Sequence, residues 1–163
     1  MFAKQYYRKK DVKLLVKELA EFRDKYDLNF LMFVDDIFPL HEVELMEEFC
    51  SLYKEHVGLP FSVNLQPRIV KEEGFKLAVE AGMRNICCGV ESGSKKIRRN
   101  VLKRNYDDEH VVKVMNLAHK YNIRCSSFNI LIEGLLLENC VWREVLLMLI
   151  KASMRMYIGR TLN

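Results

Sequence analysis

Apolar positions along this chain alternate between two spacings. Val12, Leu15, Leu19, Phe22 and Tyr26 recur at intervals of three or four, which predicts a helix with Asp11 as its first-turn acid. A compact apolar run, Asn29 to Val34 (NFLMFV), follows and reads as a strand. Val43, Met46, Phe49 and Tyr53 return to helical spacing and end near Gly58. Phe61 to Leu65 is the next strand, and Lys71 to Ala81 a helix stopped by Gly82. The run from Asn85 reads as a third strand, Glu109 to Tyr121 as a helix stopped at Asn122, and Ile123 to Ile132 as a fourth strand. A last helix is predicted from about Val141. Strands alternating with helices imply an α/β fold, a parallel sheet with right-handed crossovers that is either doubly wound or closed toward a barrel.

Three of the predicted strands close on acids. The first runs into Asp35 and Asp36, and the fourth into Glu133 and Gly134, with Glu138 just beyond. The third ends in GVESGS, where Glu91 stands between Gly89 and Gly93 and is followed by Ser92. Parallel sheets hold ligands at the carboxyl ends of their strands, where Asp35, Asp36, Glu91, Glu133 and Arg68 would gather. Acids at such places also cap the helix that follows, a role open to Asp36 and Glu138 in particular. For Glu91 the glycine on either side predicts close approach by another group.

Composition narrows the classes. Half of the 163 residues are hydrophobic, enough for one core, and no linker, repeat or low-complexity tract divides them, so residues 1–163 are expected to form one domain. Net charge is 26 minus 22, or +4, too mild to argue for nucleic acid. Six cations nonetheless fall within ten residues: Lys95, Lys96, Arg98, Arg99, Lys103 and Arg104. That run reads either as a solvated loop or helix face, or as an anion site at the mouth of the strands. Met1 to Lys10 is polar and basic, unlike a signal peptide, and Val145 to Ile150 is too short to cross a bilayer, so a cytoplasmic protein is expected. The five cysteines, Cys50, Cys87, Cys88, Cys125 and Cys140, are then expected as thiols. None has the spacing of a metal site, and adjacent Cys87 and Cys88 point to opposite faces of a strand. The histidines, His41, His56, His110 and His119, fall in helical segments without paired spacing and read as surface or helix-end residues.

The order FVDDIF, a strand followed by Arg68, EAGMRNICCGVESGSKKIRRNVLKR and FNILIEGLLLEN, spanning about Tyr7 to Asn139, resembles the core of radical S-adenosylmethionine (radical SAM) enzymes. It is most similar to the branch whose members often carry an upstream cobalamin-binding domain. The resemblance implies roles residue by residue. Asp35 and Asp36 lie where a carboxylate helps hold the methionine amino group of S-adenosylmethionine, and Glu91, beside Ser92, where an acid meets the ribose hydroxyls. The segment Ile130 to Gly134 matches the stretch along the adenine, Lys103 a partner for the cofactor carboxylate, and Arg68 a recurring basic position for an anion or substrate. The implied cofactors are S-adenosylmethionine, a 4Fe-4S cluster and, in this branch, cobalamin. The implied chemistry is a 5′-deoxyadenosyl radical or a cobalamin-bound methyl group acting on a small molecule.

Two departures qualify the match. The CxxxCxxC loop that holds the cluster is absent, and Met1 stands where the segment just downstream of that loop would begin. Where a GLPGET-like turn is expected, the chain reads Gly134-Leu135-Leu136-Leu137-Glu138-Asn139, and residues 139–163 depart from the family pattern. The resemblance then implies a truncated core, an incomplete (β/α) barrel of about four parallel strands with crossover helices, inactive alone. Asn29 to Val34 would then form a long, apolar edge open to self-association. Two further readings stay open: a divalent-metal lyase or hydrolase using Asp35, Asp36, Glu91 and Glu133 as oxygen ligands, and a non-catalytic domain that binds a nucleotide or a partner chain.

Overall fold

A computed structural model of the chain describes residues 9–34 and 37–129. The first helix, α1 (Val12–Tyr26), begins where the Asp11 side chain accepts the Leu14 N–H at 2.9 Å and ends on Asp27 in the left-handed conformation. Next come β1 (Leu31–Phe33), α2 (Val43–His56) and β2 (Phe61–Leu65), then a single 3-10 turn over Pro67–Ile69. The chain continues through α3 (Glu72–Ala81), β3 (Met83–Glu91), a short α4 (Lys95–Asn100), α5 (Asp108–Lys120) and β4 (Arg124–Asn129).

All four strands are parallel, in the order β1-β2-β3-β4. This is the α/β sheet that the alternating periodicities predict. Phe33 pairs with Val63, Leu65 with Cys88, and Gly89 with Phe128, so every strand points its carboxyl end to the same edge. Phe61, Val63, Leu65, Ile86 and Cys88 belong to the main core beneath the helices, while Ser62 and Asn64 alternate with them along β2. At one end of that core Phe33, Phe61, Phe49 and Tyr53 meet ring against ring, with centroids 5.0–6.3 Å apart. Tyr53 is fully buried and donates its hydroxyl to the Leu59 carbonyl at 2.9 Å.

Two fastenings matter for the strand ends. After β1 the chain returns to β2, where the Phe38 N–H donates to the Asn64 carbonyl at 3.0 Å. The loop carrying Phe38 and Leu40 then lies directly on α3. An ideal Cβ on Gly74 would stand 2.1 Å from the Leu40 carbonyl oxygen, so only glycine admits that approach. On the other side, Lys113 of α5 donates to the Val70 carbonyl at 3.0 Å, bracing the 3-10 turn that carries Arg68.

Three expectations need correction. β1 is three residues, not the long edge expected from Asn29 to Val34, although Met32 and Val34 are exposed at 56% and 72%. Its pairing with β2 ends at Phe33 opposite Val63, and the next backbone bond to β2 is from the Phe38 N–H to the Asn64 carbonyl. α4 is an added helix, capped by the Ser94 hydroxyl accepting from the Ile97 N–H. His41 sits on the turn before α2 and not in a helix. The end of the fourth predicted strand, the helix from Val141, and the 134–139 departure lie outside the described residues. Among those described, no helix is long and apolar enough to cross a membrane.

Candidate functional site

The carboxyl edge of the sheet is best defined at β3. Glu91, its last residue, has φ of +64°, and the Ser92 N–H donates across it to the Val90 carbonyl at 2.8 Å. That is a γ-turn with a positive φ at its centre, a rare and strained arrangement for a residue with a side chain. The turn folds the Glu91 side chain back over the strand. Its Oε1 would lie 3.1 Å from a Cβ built on Gly89. The glycine therefore makes room for the chain's own carboxylate. Glu91 is mostly covered, at 15% side-chain exposure, with Arg104 Nη2 3.4 Å from Oε1.

The turn is held from beneath. Tyr106 is buried, and its hydroxyl is shared between the carbonyls of Gly89 and Val90, each 2.8 Å away. Burial first, and the neighbouring charge of Glu91 second, push the Tyr106 phenol up to about 12, so it remains a neutral donor. Arg98 is fully buried. It donates to the Ser92 carbonyl at 2.7 Å, pairs with Asp108, and lies over the Tyr106 ring at 5.6 Å. Ser92 is itself buried, and its hydroxyl accepts the Ser94 N–H at 3.2 Å.

The cation run is thus divided, and reading it as wholly solvated is corrected. Arg98 is core. Lys95 and Arg99 both reach Asp107, at 2.8 and 2.9 Å, and hold its carboxyl below the usual range, Lys95 chiefly by its hydrogen bond. Lys103 is exposed on the loop after α4, in the left-handed conformation. Arg68 is exposed on the turn after β2. It and Glu91 each stand three positions beyond the paired Leu65 and Cys88, at one edge of adjacent strands. Asp35, Asp36, Ile130, Glu133, Gly134 and Glu138 lie outside the described residues.

Sequence reasoning missed Arg98, Tyr106 and Asp108 as parts of this site. Tyr106 carried a signal, an isolated aromatic within the polar stretch Lys103 to Glu109, as expected of an anchor. Arg98 carried none, because five other cations surround it.

Among the described residues the thiols do not resemble cluster ligands. Burial pushes Cys50 and Cys125 up to about 12 and Cys88 higher still. Among the described residues no group of three or more His, Cys, Asp and Glu side chains could hold a metal ion.

A four-stranded parallel sheet with helices, with Glu91 at the carboxyl end of β3, defines a partial α/β barrel. The Radical SAM superfamily model matches residues 2–140, and the chain belongs to that superfamily. No curated protein matches it by sequence. Solved structures do match its fold. The radical S-adenosylmethionine methyltransferase TsrM from Kitasatospora setae, solved with cobalamin and a 4Fe-4S cluster bound, is 17% identical with a TM-score of 0.62, over 74% of this chain and 25% of that one. The cobalamin-dependent S-adenosylmethionine radical enzyme OxsB, solved with aqua-cobalamin, is 17% identical with a TM-score of 0.63, over 85% of this chain and 22% of that one. The chain thus spans about a quarter of the length of these structures.

Proposed function

We propose that this chain binds S-adenosylmethionine at the carboxyl ends of its strands, as the core of a cobalamin-associated radical SAM enzyme acting on a small molecule. The observation that carries the reading is Glu91, held in a strained turn at the end of β3 with its carboxylate folded over Gly89. A carboxylate fixed in this way accepts two hydroxyl hydrogen bonds, as a ribose diol requires. In this proposal Ser92 shapes the turn, Lys103 meets the ligand's carboxylate, and Asp35 and Asp36 meet its ammonium. Ile130 to Gly134 lines the adenine, and Arg68 stands ready for an anionic group. Residues 1–163 would act as one domain, cytoplasmic, with the exposed β1 edge available to a second copy.

Bound S-adenosylmethionine would supply the methyl or adenosyl group for transfer. The 4Fe-4S cluster does not fit this chain: CxxxCxxC is absent, and Cys50 and Cys88 are core residues. The chain's own part is therefore binding and orientation, with Glu91 fixing the sugar, Lys103 the carboxylate and Asp35 and Asp36 the ammonium. Cobalamin enters the proposal only through the fold neighbours that carry it.

Calorimetric titration of the chain with S-adenosylmethionine, and separately with magnesium and manganese, tests the reading. Saturable binding of S-adenosylmethionine is expected. Tight binding of either metal, with no heat from S-adenosylmethionine, would favour the divalent-metal enzyme instead.

A further inference from the structure

Glu91 adopts a backbone conformation that residues with side chains avoid, so its surroundings must hold it there. Those surroundings are few and specific. The Gly89 and Val90 carbonyls on one side of Glu91 share the Tyr106 hydroxyl, and the Ser92 carbonyl on the other accepts from Arg98. Both side chains are buried, they stack on each other, and Asp108 at the start of α5 anchors the pair. The Arg104 N–H also donates to the Arg98 carbonyl at 2.7 Å, which fixes the strand of chain whose side chain reaches Glu91. Three carbonyls around Glu91, those of Gly89, Val90 and Ser92, are therefore held by donors from the loop and helix that follow. That is more fastening than a strand end needs simply to stop.

We propose that Tyr106 and Arg98 are positioning residues that hold Glu91 in the strained turn that presents its carboxylate to the hydroxyls of a ribose. Neither side chain is placed against the ligand. Each acts through the backbone on either side of Glu91. The inference rests on the ribose reading of Glu91 given above, and its test separates the two.

The test titrates the full chain with adenosine and with 2′,3′-dideoxyadenosine, followed by amide chemical shifts so that weak binding is measurable. The unsubstituted chain is expected to favour adenosine by about tenfold, the worth of charged hydrogen bonds to the diol. Glu91→Gln should remove most of that preference. Tyr106→Phe, which keeps the ring under Arg98, should lower the preference at least threefold while leaving dideoxyadenosine affinity unchanged. Arg98→Lys should do the same, keeping the charge toward Asp108 but losing the forked donor, and it serves if Tyr106→Phe does not fold. If the unsubstituted chain shows no preference, the ribose reading fails and the inference with it. Where Glu91→Gln removes the preference but both neighbouring variants keep it, the ribose reading stands and the positioning role is wrong. Equal losses for both nucleosides would mark Tyr106 and Arg98 as general supports only and likewise overturn the inference.

Discussion

Replacing Gly74 by alanine sets two physical effects against each other. Gly74 lies inside α3, where helix propensity alone would make alanine more stable by about 1 kcal/mol. Its surroundings oppose that. The added methyl would stand 2.1 Å from the Leu40 carbonyl oxygen, 2.9 Å from its carbon and 3.3 Å from its Cα. All three are backbone atoms, so no side chain can rotate away. Relief requires the Phe38–Leu40 loop or α3 to move by roughly 1 Å, and both Phe38 and Leu40 are buried. Overpacking of this kind costs about 3 kcal/mol at the upper end, leaving a net loss of about 2 kcal/mol once the helix gain is subtracted. For a chain of this length that lowers Tm by about 4–8 °C. Urea titration followed by circular dichroism, with a thermal melt alongside, measures both. A midpoint unchanged or raised would show that helix propensity decides and that the loop does not press on α3 as described.

Two other expectations follow from burial and exposure. At pH 8 a thiol held at about 12 is ionised in only about one molecule in ten thousand, so Cys50, Cys88 and Cys125 should resist iodoacetamide in the native chain and react in urea; labelling of any of them at the unfolded rate would contradict their placement. Association across the exposed β1 edge should give a concentration-dependent dimer in sedimentation, weakened by Met32→Lys; a monomer at all concentrations would show the edge too short to pair.

Much of the sheet was legible because its signals are local. Val43, Met46, Phe49 and Tyr53 have helical spacing and all but the first are buried in α2, and Phe61 to Leu65 forms β2 as its composition predicts. Glu91 stood out in the sequence because an acid between Gly89 and Gly93 conflicts with a buried strand, and the structure places it at the end of β3 with a positive φ. The reason for Gly89 was not legible, since it depends on a turn that directs the Glu91 carboxylate back over it. Arg98 could not be told from its neighbours for a similar reason. Its burial depends on Tyr106 and Asp108, eight and ten positions later, arriving beside it through α4 and the loop after it. Asp107 and Asp108 likewise absorb charge that the sequence left available for a ligand.

The central claim is that Glu91 is a ligand residue, and one measurement tests it most directly. S-adenosylmethionine is titrated calorimetrically into the chain and into Glu91→Ala. Removing a charged acceptor whose bonds contribute about 1.5–3 kcal/mol should weaken binding by about ten- to a hundredfold. Tyr106 and Arg98 hold the turn through its backbone carbonyls, which the substitution leaves in place, so the melting temperature should change little. Unchanged affinity in a folded Glu91→Ala chain would contradict the account.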